Sequence, residues 1–151
     1  MQSTDVIAML TRAFSLDGMT ADKDGNTVYE FSSDLHFIAT DLDVDTIRLC
    51  TGLHNPGISL NEATLRRMAE AGYLGAETGP GTVATDPRGG AALAYVDTFD
   101  VSGMDEDAVQ ERVVDFVLYS EYLRSEVLAA LIERVDGDTK GSSNEDTVIR
   151  A

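Results

Sequence analysis

Between Asp105 and Leu131 the side chains suited to burial fall at Val109, Val113, Phe116, Val117, Ser120, Leu123, Val127 and Leu131, a spacing that keeps them on one side of a helix. Asp105, Glu106 and Asp107 stand where they complement the positive end of that helix. A long helix with one apolar face needs a sheet or a second helix to cover it. The rest of the chain must supply that surface.

Upstream, Ser3 or Thr4 can cap a first helix whose Val6, Ile7, Leu10 and Phe14 share a face, ending near Asp17 and Gly18. Asp22, Asp24, Gly25 and Asn26 supply turn chemistry. Residues 27–32, 35–40 and 46–53 are rich in β-branched and aromatic residues, with the polar run 41–45 before the third, and read as an antiparallel meander. Asn55, Pro56 and Gly57 break the pattern. Ser59 followed by Glu62 forms a capping-box signature for a second helix with Leu65, Met68, Ala69 and Gly72 on its apolar side. Residues 82–85 and 91–99 flank a turn at 86–90 and read as a second hairpin. The expected fold is α+β: a small, twisted, mainly antiparallel sheet of about five strands with three helices, in the order α-β-β-β-α-β-β-α. Residues 1–135 form the one domain. Residues 136–151 have almost no apolar content and are expected to be an acidic, polar, flexible tail.

A length of 151 residues, 43% of them hydrophobic, suits a single core. With 27 acidic against 11 basic residues, the formal charge of -16 repels phosphate backbones and anionic membrane surfaces. No nucleic acid partner and no membrane insertion are expected, since the apolar stretch 113–118 is interrupted by Asp115 and falls short of the roughly 20 residues a span requires. Residues 1–10 carry neither the basic nor the long apolar region of a secretory signal, and Cys50 is the single cysteine, so the cytoplasm is the expected compartment.

Motifs that suggest bond chemistry fail on their context. Gly79, Pro80, Gly81 and Ala84 match a dinucleotide fingerprint, but that site needs a strand before the glycines and a helix after them, and the order here is helix, loop, strand. Aligning Gly25 with the central glycine of a calcium loop puts Thr20 at the first ligand and Phe31 where a bidentate Glu is required. His36 and His54 lack the spacing of a zinc site. Cys50 could act as a nucleophile only with a histidine brought near by folding, and an acidic pair arises by chance in so acidic a chain. Catalytic residues, cofactors and metals are therefore all expected to be absent. An enzyme built on Cys50 or on an acidic pair is the weakest of the readings.

Two helices cover one face of a small sheet, and the middle helix with its stripe of Leu65, Met68 and Ala69 then needs another surface, which a symmetric partner would provide. At this point the order of elements resembles the Tir chaperone family, the class I chaperones of type III secretion. The resemblance is most specific from Leu65 to Leu123: the segment from Leu65 through Met68 and Gly72 to Leu74, the glycine-rich strand at 79–85, the Asp86-Pro87 turn, the strand at 91–99, and the closing segments at 104–108 and 113–117. Topology extends it over about residues 3–134. It implies a homodimer in the bacterial cytoplasm that binds the N-terminal segment of a secreted effector without ATP and keeps it soluble and export-competent. Carried onto this chain, it implies Leu65, Met68, Ala69 and Tyr73 at the dimer surface, and Leu10, Phe14, Leu35 and Phe37 at the effector surface. Arg66, Arg67 and the tail depart from the family's pattern. The alternative is a regulatory or adaptor protein of the same fold that binds a folded cytoplasmic partner.

Overall fold

The computed structural model describes residues 1–13, 26–32, 35–53, 61–86 and 92–131. Helix α1 (Ser3–Ala13) is followed by strands β1 (Thr27–Ser32), β2 (Leu35–Asp41) and β3 (Thr46–Gly52), helix α2 (Glu62–Ala71), strands β4 (Thr82–Asp86) and β5 (Ala92–Asp100), and helix α3 (Glu106–Tyr122). The expected order of three helices and five strands is the observed one. The strands form one antiparallel sheet in the order β1-β2-β3-β5-β4, so β3 lies at its centre and β1 and β4 at its edges. The calls on residues 14–25, on His54, Asn55, Pro56, Gly57 and Ser59, on the Pro87 turn and on the tail at 136–151 lie outside the described residues.

Local chemistry explains the element ends, with two corrections, at the starts of α1 and α2. The α3 start is capped as expected by Asp105, whose Oδ1 accepts the Ala108 N–H at 2.9 Å. At α1, Asp5 accepts the Gln2 N–H at 3.0 Å, so the cap lies one residue before Ser3. Helix α2 does not begin on a Ser59 capping box. Its N-cap is Asn61, whose Oδ1 accepts the Thr64 N–H at 2.9 Å. Asn caps as well as Ser, and being nearer the helix it wins.

Helices α1 and α3 pack on the same face of the sheet. Side chains alternate along each strand, and Tyr29, Leu35, Phe37, Leu49, Leu93 and Tyr95 point to this face, all at most 6% exposed. The Phe116 ring of α3 inserts between Phe37 and Tyr95, with centroids 5.9 Å and 5.2 Å away. The strand between those two residues carries Thr51 opposite Tyr95, a small side chain that leaves room for the ring. Beyond Tyr122 the helix widens into a π turn at Leu123–Leu128. Leu123, Val127 and Leu128 of this turn are buried in the core.

One polar group enters this apolar face. Asp97, with its side chain fully buried, occupies an inward position of β5 between Tyr95 and Phe99. Arg112 of α3 meets it with both arms of the guanidinium, Nε donating to Oδ2 at 2.7 Å and Nη2 to Oδ1 at 2.9 Å. The same guanidinium lies 4.8 Å from the centre of the Phe99 ring. Replacing Arg112 by Met leaves a buried carboxylate without its counter-charge, and urea unfolding is expected to show a loss of about 3 kcal/mol. The double replacement Asp97→Leu with Arg112→Met removes both charges and is expected to recover most of that loss, because desolvation then disappears with the pair.

Candidate functional site

Helix α2 adds Met68 and Ala71 to the core from the β4 side, and its own residues show how the rest of it is used. Thr64, Met68 and Ala71 are buried at helical spacing, whereas Leu65 (48% exposed), Ala69 and Tyr73 (71% exposed) form a second stripe pointing outward. The apolar side expected from the sequence therefore mixes two faces. Only Met68 of that set is anchored in the core; Leu65 and Ala69 are surface.

The outward stripe and edge strand β4 enclose a groove of ≈ 480 Å³. Leu65, Met68, Ala69 and Tyr73 line one wall, and Val83 and Leu93 contribute to the other. All four residues assigned to the dimer surface thus share one cavity. Leu74, 87% exposed and with a φ of 52°, stands at the end of the same helix.

The path from α2 to β4 is fixed by close contacts. Gly79 has a φ of +58°, and a Cβ there would lie 2.3 Å from the Tyr119 ring; at Gly81 it would lie 2.5 Å from the Tyr95 ring. The Tyr95 hydroxyl donates to the Thr78 carbonyl at 2.5 Å, and burial pushes its pKa up to about 12. The glycines expected to be structural therefore let two tyrosines reach the loop. Glu77, three residues after Leu74, accepts from Arg67 of α2 at 2.7 Å on both oxygens and from the Tyr122 hydroxyl of α3 at 2.9 Å. These contacts clamp one end of the groove.

The residues assigned to the effector surface are placed differently. Leu10, Leu35 and Phe37 are 0%, 2% and 1% exposed and serve the core, with the Phe37 ring stacked on Tyr29 at 5.4 Å. Phe14 lies outside the described residues. The apolar groups that do reach solvent on this half of the sheet are Phe31 on edge strand β1, near the start of β2, and Leu42 and Val44 beyond the opposite end of β2. Periodicity identified the first set as apolar but carried no sign of burial, and Leu42 and Val44 were hidden within an acidic run.

No constellation for bond chemistry is found among the described residues. No three His, Cys, Asp or Glu side chains gather as metal ligands there. Cys50 is half-buried, and its cross-strand neighbours in the register are Ile38 and Val96. His36 is exposed, 3.9 Å from Glu30 on the neighbouring strand. No helix of the described residues is long and apolar enough to cross a membrane.

With this geometry the chain can be set beside known proteins. No family model and no curated protein matches it. Solved structures do. A chain of the ExsC–ExsE complex superposes with a TM-score of 0.62 over 83% of this chain and 95% of that one, at 9% identity. A chain of the HopA1–SchA chaperone–effector complex gives a TM-score of 0.58 over 80% and 91%, at 9% identity. A chain of the complex of the Yersinia pestis type III secretion chaperone SycH with a stable fragment of YscM2 gives 0.57 over 80% and 98%, at 8% identity. At such identities the likeness is one of fold, and it extends over nearly the whole length of those chains.

The clamp makes this region sensitive to acid. Hydrogen bonds from Arg67 first, then from Tyr122, pull the Glu77 carboxyl from its ordinary 4.5 down to about 2. A value lowered on folding stabilises above the unfolded value and is lost as pH falls from about 4.5 towards 2. Glu77→Gln is expected to lower stability by about 1 kcal/mol at neutral pH, since the pair is partly exposed, with the difference from the parent closing below about pH 3 in acid titrations followed by circular dichroism.

Proposed function

We propose that this protein is a non-enzymatic type III secretion chaperone of the Tir chaperone kind. In this reading two copies associate through the α2 and β4 grooves, and the dimer binds the N-terminal segment of a secreted effector, keeping it soluble and export-competent in the bacterial cytoplasm. The observation that carries the reading is the groove itself: Leu65, Met68 and Ala69 of α2 and Tyr73 just beyond it line one cavity, with Leu65 and Tyr73 large and exposed. The fold shared with chains of chaperone complexes supports it.

Each part has a physical basis. Leu65 and Tyr73 expose apolar area on either side of the small Ala69, and a symmetric partner would remove that area from water while Ala69 allows close approach. An effector segment in extended form would add a strand to the free edge of β1, with Phe31 offering an apolar contact beside it. Neither step makes or breaks a bond.

Light scattering at micromolar concentration is expected to give a dimer, and Leu65→Asp or Tyr73→Asp is expected to give monomer by weakening association about 100-fold or more, since either places a charge in the interface. A parent chain that is monomeric under those conditions removes the dimer from the proposal. Affinity capture of the tagged chain from its native cells, with limited proteolysis of the retained material, is expected to show one secreted protein protected over an extended N-terminal segment. Recovery of a folded cytoplasmic regulator instead would assign the chain to adaptors of this fold.

A further inference from the structure

Helix α3 covers the core with one side and carries an unexplained apolar stripe on the other. Val114, Leu118 and Tyr122, at successive helical turns, are 48%, 61% and 40% exposed. The stripe is about 12 Å long, taking about 1.5 Å of rise per residue. At one end the Tyr122 hydroxyl donates to Glu77 at 2.9 Å, and the buried set of α3 is complete without the stripe: Val109, Val113, Phe116, Val117 and Ser120 all face inward. Exposed apolar groups aligned on a helix mark a surface for another chain.

The rim identifies the kind of chain. Glu111, Asp115 and Glu121 border the stripe on both sides. Arg112 turns inward to Asp97, while Arg124, just beyond the helix, pairs with Glu121, which leaves Glu111 and Asp115 as the acidic part of the border. An apolar centre with a carboxylate border complements an apolar centre with an ammonium or guanidinium border. It also disfavours a second copy of this chain, because pairing two copies on the stripe would bring two acidic borders together. The overall charge of -16 adds to that repulsion.

We propose that the outer face of α3 at Val114, Leu118 and Tyr122 is a docking surface for a basic amphipathic helix of another protein, its apolar stripe seated on these three side chains and its Lys and Arg residues on Glu111 and Asp115. This surface meets the clamp at Glu77 through Tyr122 but is centred on Val114 and Leu118, and it binds a helix, not an extended segment. It stands or falls independently of the dimer.

The probe is a synthetic amphipathic helix of about 14 residues, with leucine at helical spacing on one face and lysine on both borders. Titration into the isotopically labelled chain at low salt is expected to shift the amide signals of residues 110–123. Leu118→Glu decides between a seated helix and diffuse attraction, since it adds a negative charge to an already acidic protein. A seated helix is expected to lose affinity by about tenfold or more, whereas diffuse attraction would hold or strengthen. Val114→Glu is expected to act in the same direction, and a peptide with glutamate borders is expected to bind at least about tenfold more weakly than the lysine peptide. Unchanged or tighter binding by Leu118→Glu, signals that shift in the α2 and β4 groove instead, or no binding at low salt overturns the proposal. So does conversion of a dimer to monomer by Leu118→Glu, which would make the stripe a self-association surface.

Discussion

The joint between α3 and the sheet determines where every other element can go. It has an apolar part, Phe116 inserted between Phe37 and Tyr95, and a polar part, Arg112 forked onto buried Asp97. The two act differently. Ring packing stabilises through area and tolerates small slides, whereas the bidentate pair is satisfied in one register only, since a helix shifted by a residue would leave Asp97 without its partner. The pair thus fixes which residues of α3 face inward, and therefore which face outward.

Once α1 and α3 occupy the covered face, α2 is left at the edge. It meets the sheet through Thr64, Met68 and Ala71 and exposes Leu65, Ala69 and Tyr73. Its position is held from below by the tyrosine contacts to the Gly79 and Gly81 loop and from the side by Arg67 and Tyr122 on Glu77. The groove between α2 and β4 is therefore built on rigid neighbours, which matters for any surface that must meet a partner without first paying a large ordering entropy.

The strands and helices were legible in the sequence because alternation and helical spacing each leave a repeated mark, so β1 to β5 fall within a residue or two of where the pattern puts them. Burial was less legible. Leu10, Leu35 and Phe37 obey the same periodicity whether they line a core or a patch, and only the packing of α1 and α3 on the sheet decides between them. On α2 the ambiguity ran the other way, with small or polar Thr64 and Ala71 buried while Leu65 stayed outside. The Asp97 pair did leave a sign: in the alternation Leu93, Tyr95, Asp97, Phe99 an acid sits at an inward position and requires a buried partner. The π turn left no such sign in the sequence.

Two apolar faces remain on the outside of an acidic protein, and their borders differ in sign balance. On α2 the flanking charges are mixed: Glu62 pairs with Arg66 at 3.1 Å, and Arg67 is held by Glu77 at 2.7 Å. Two copies can approach there without bringing only like charges together. On α3 the border is acidic, with Arg112 drawn into the sheet by Asp97. The buried ion pair that seats the helix thereby keeps a cation away from Glu111 and Asp115, so the same interaction that fixes the fold also sorts the two faces, one suited to a like chain and the other to an oppositely charged one.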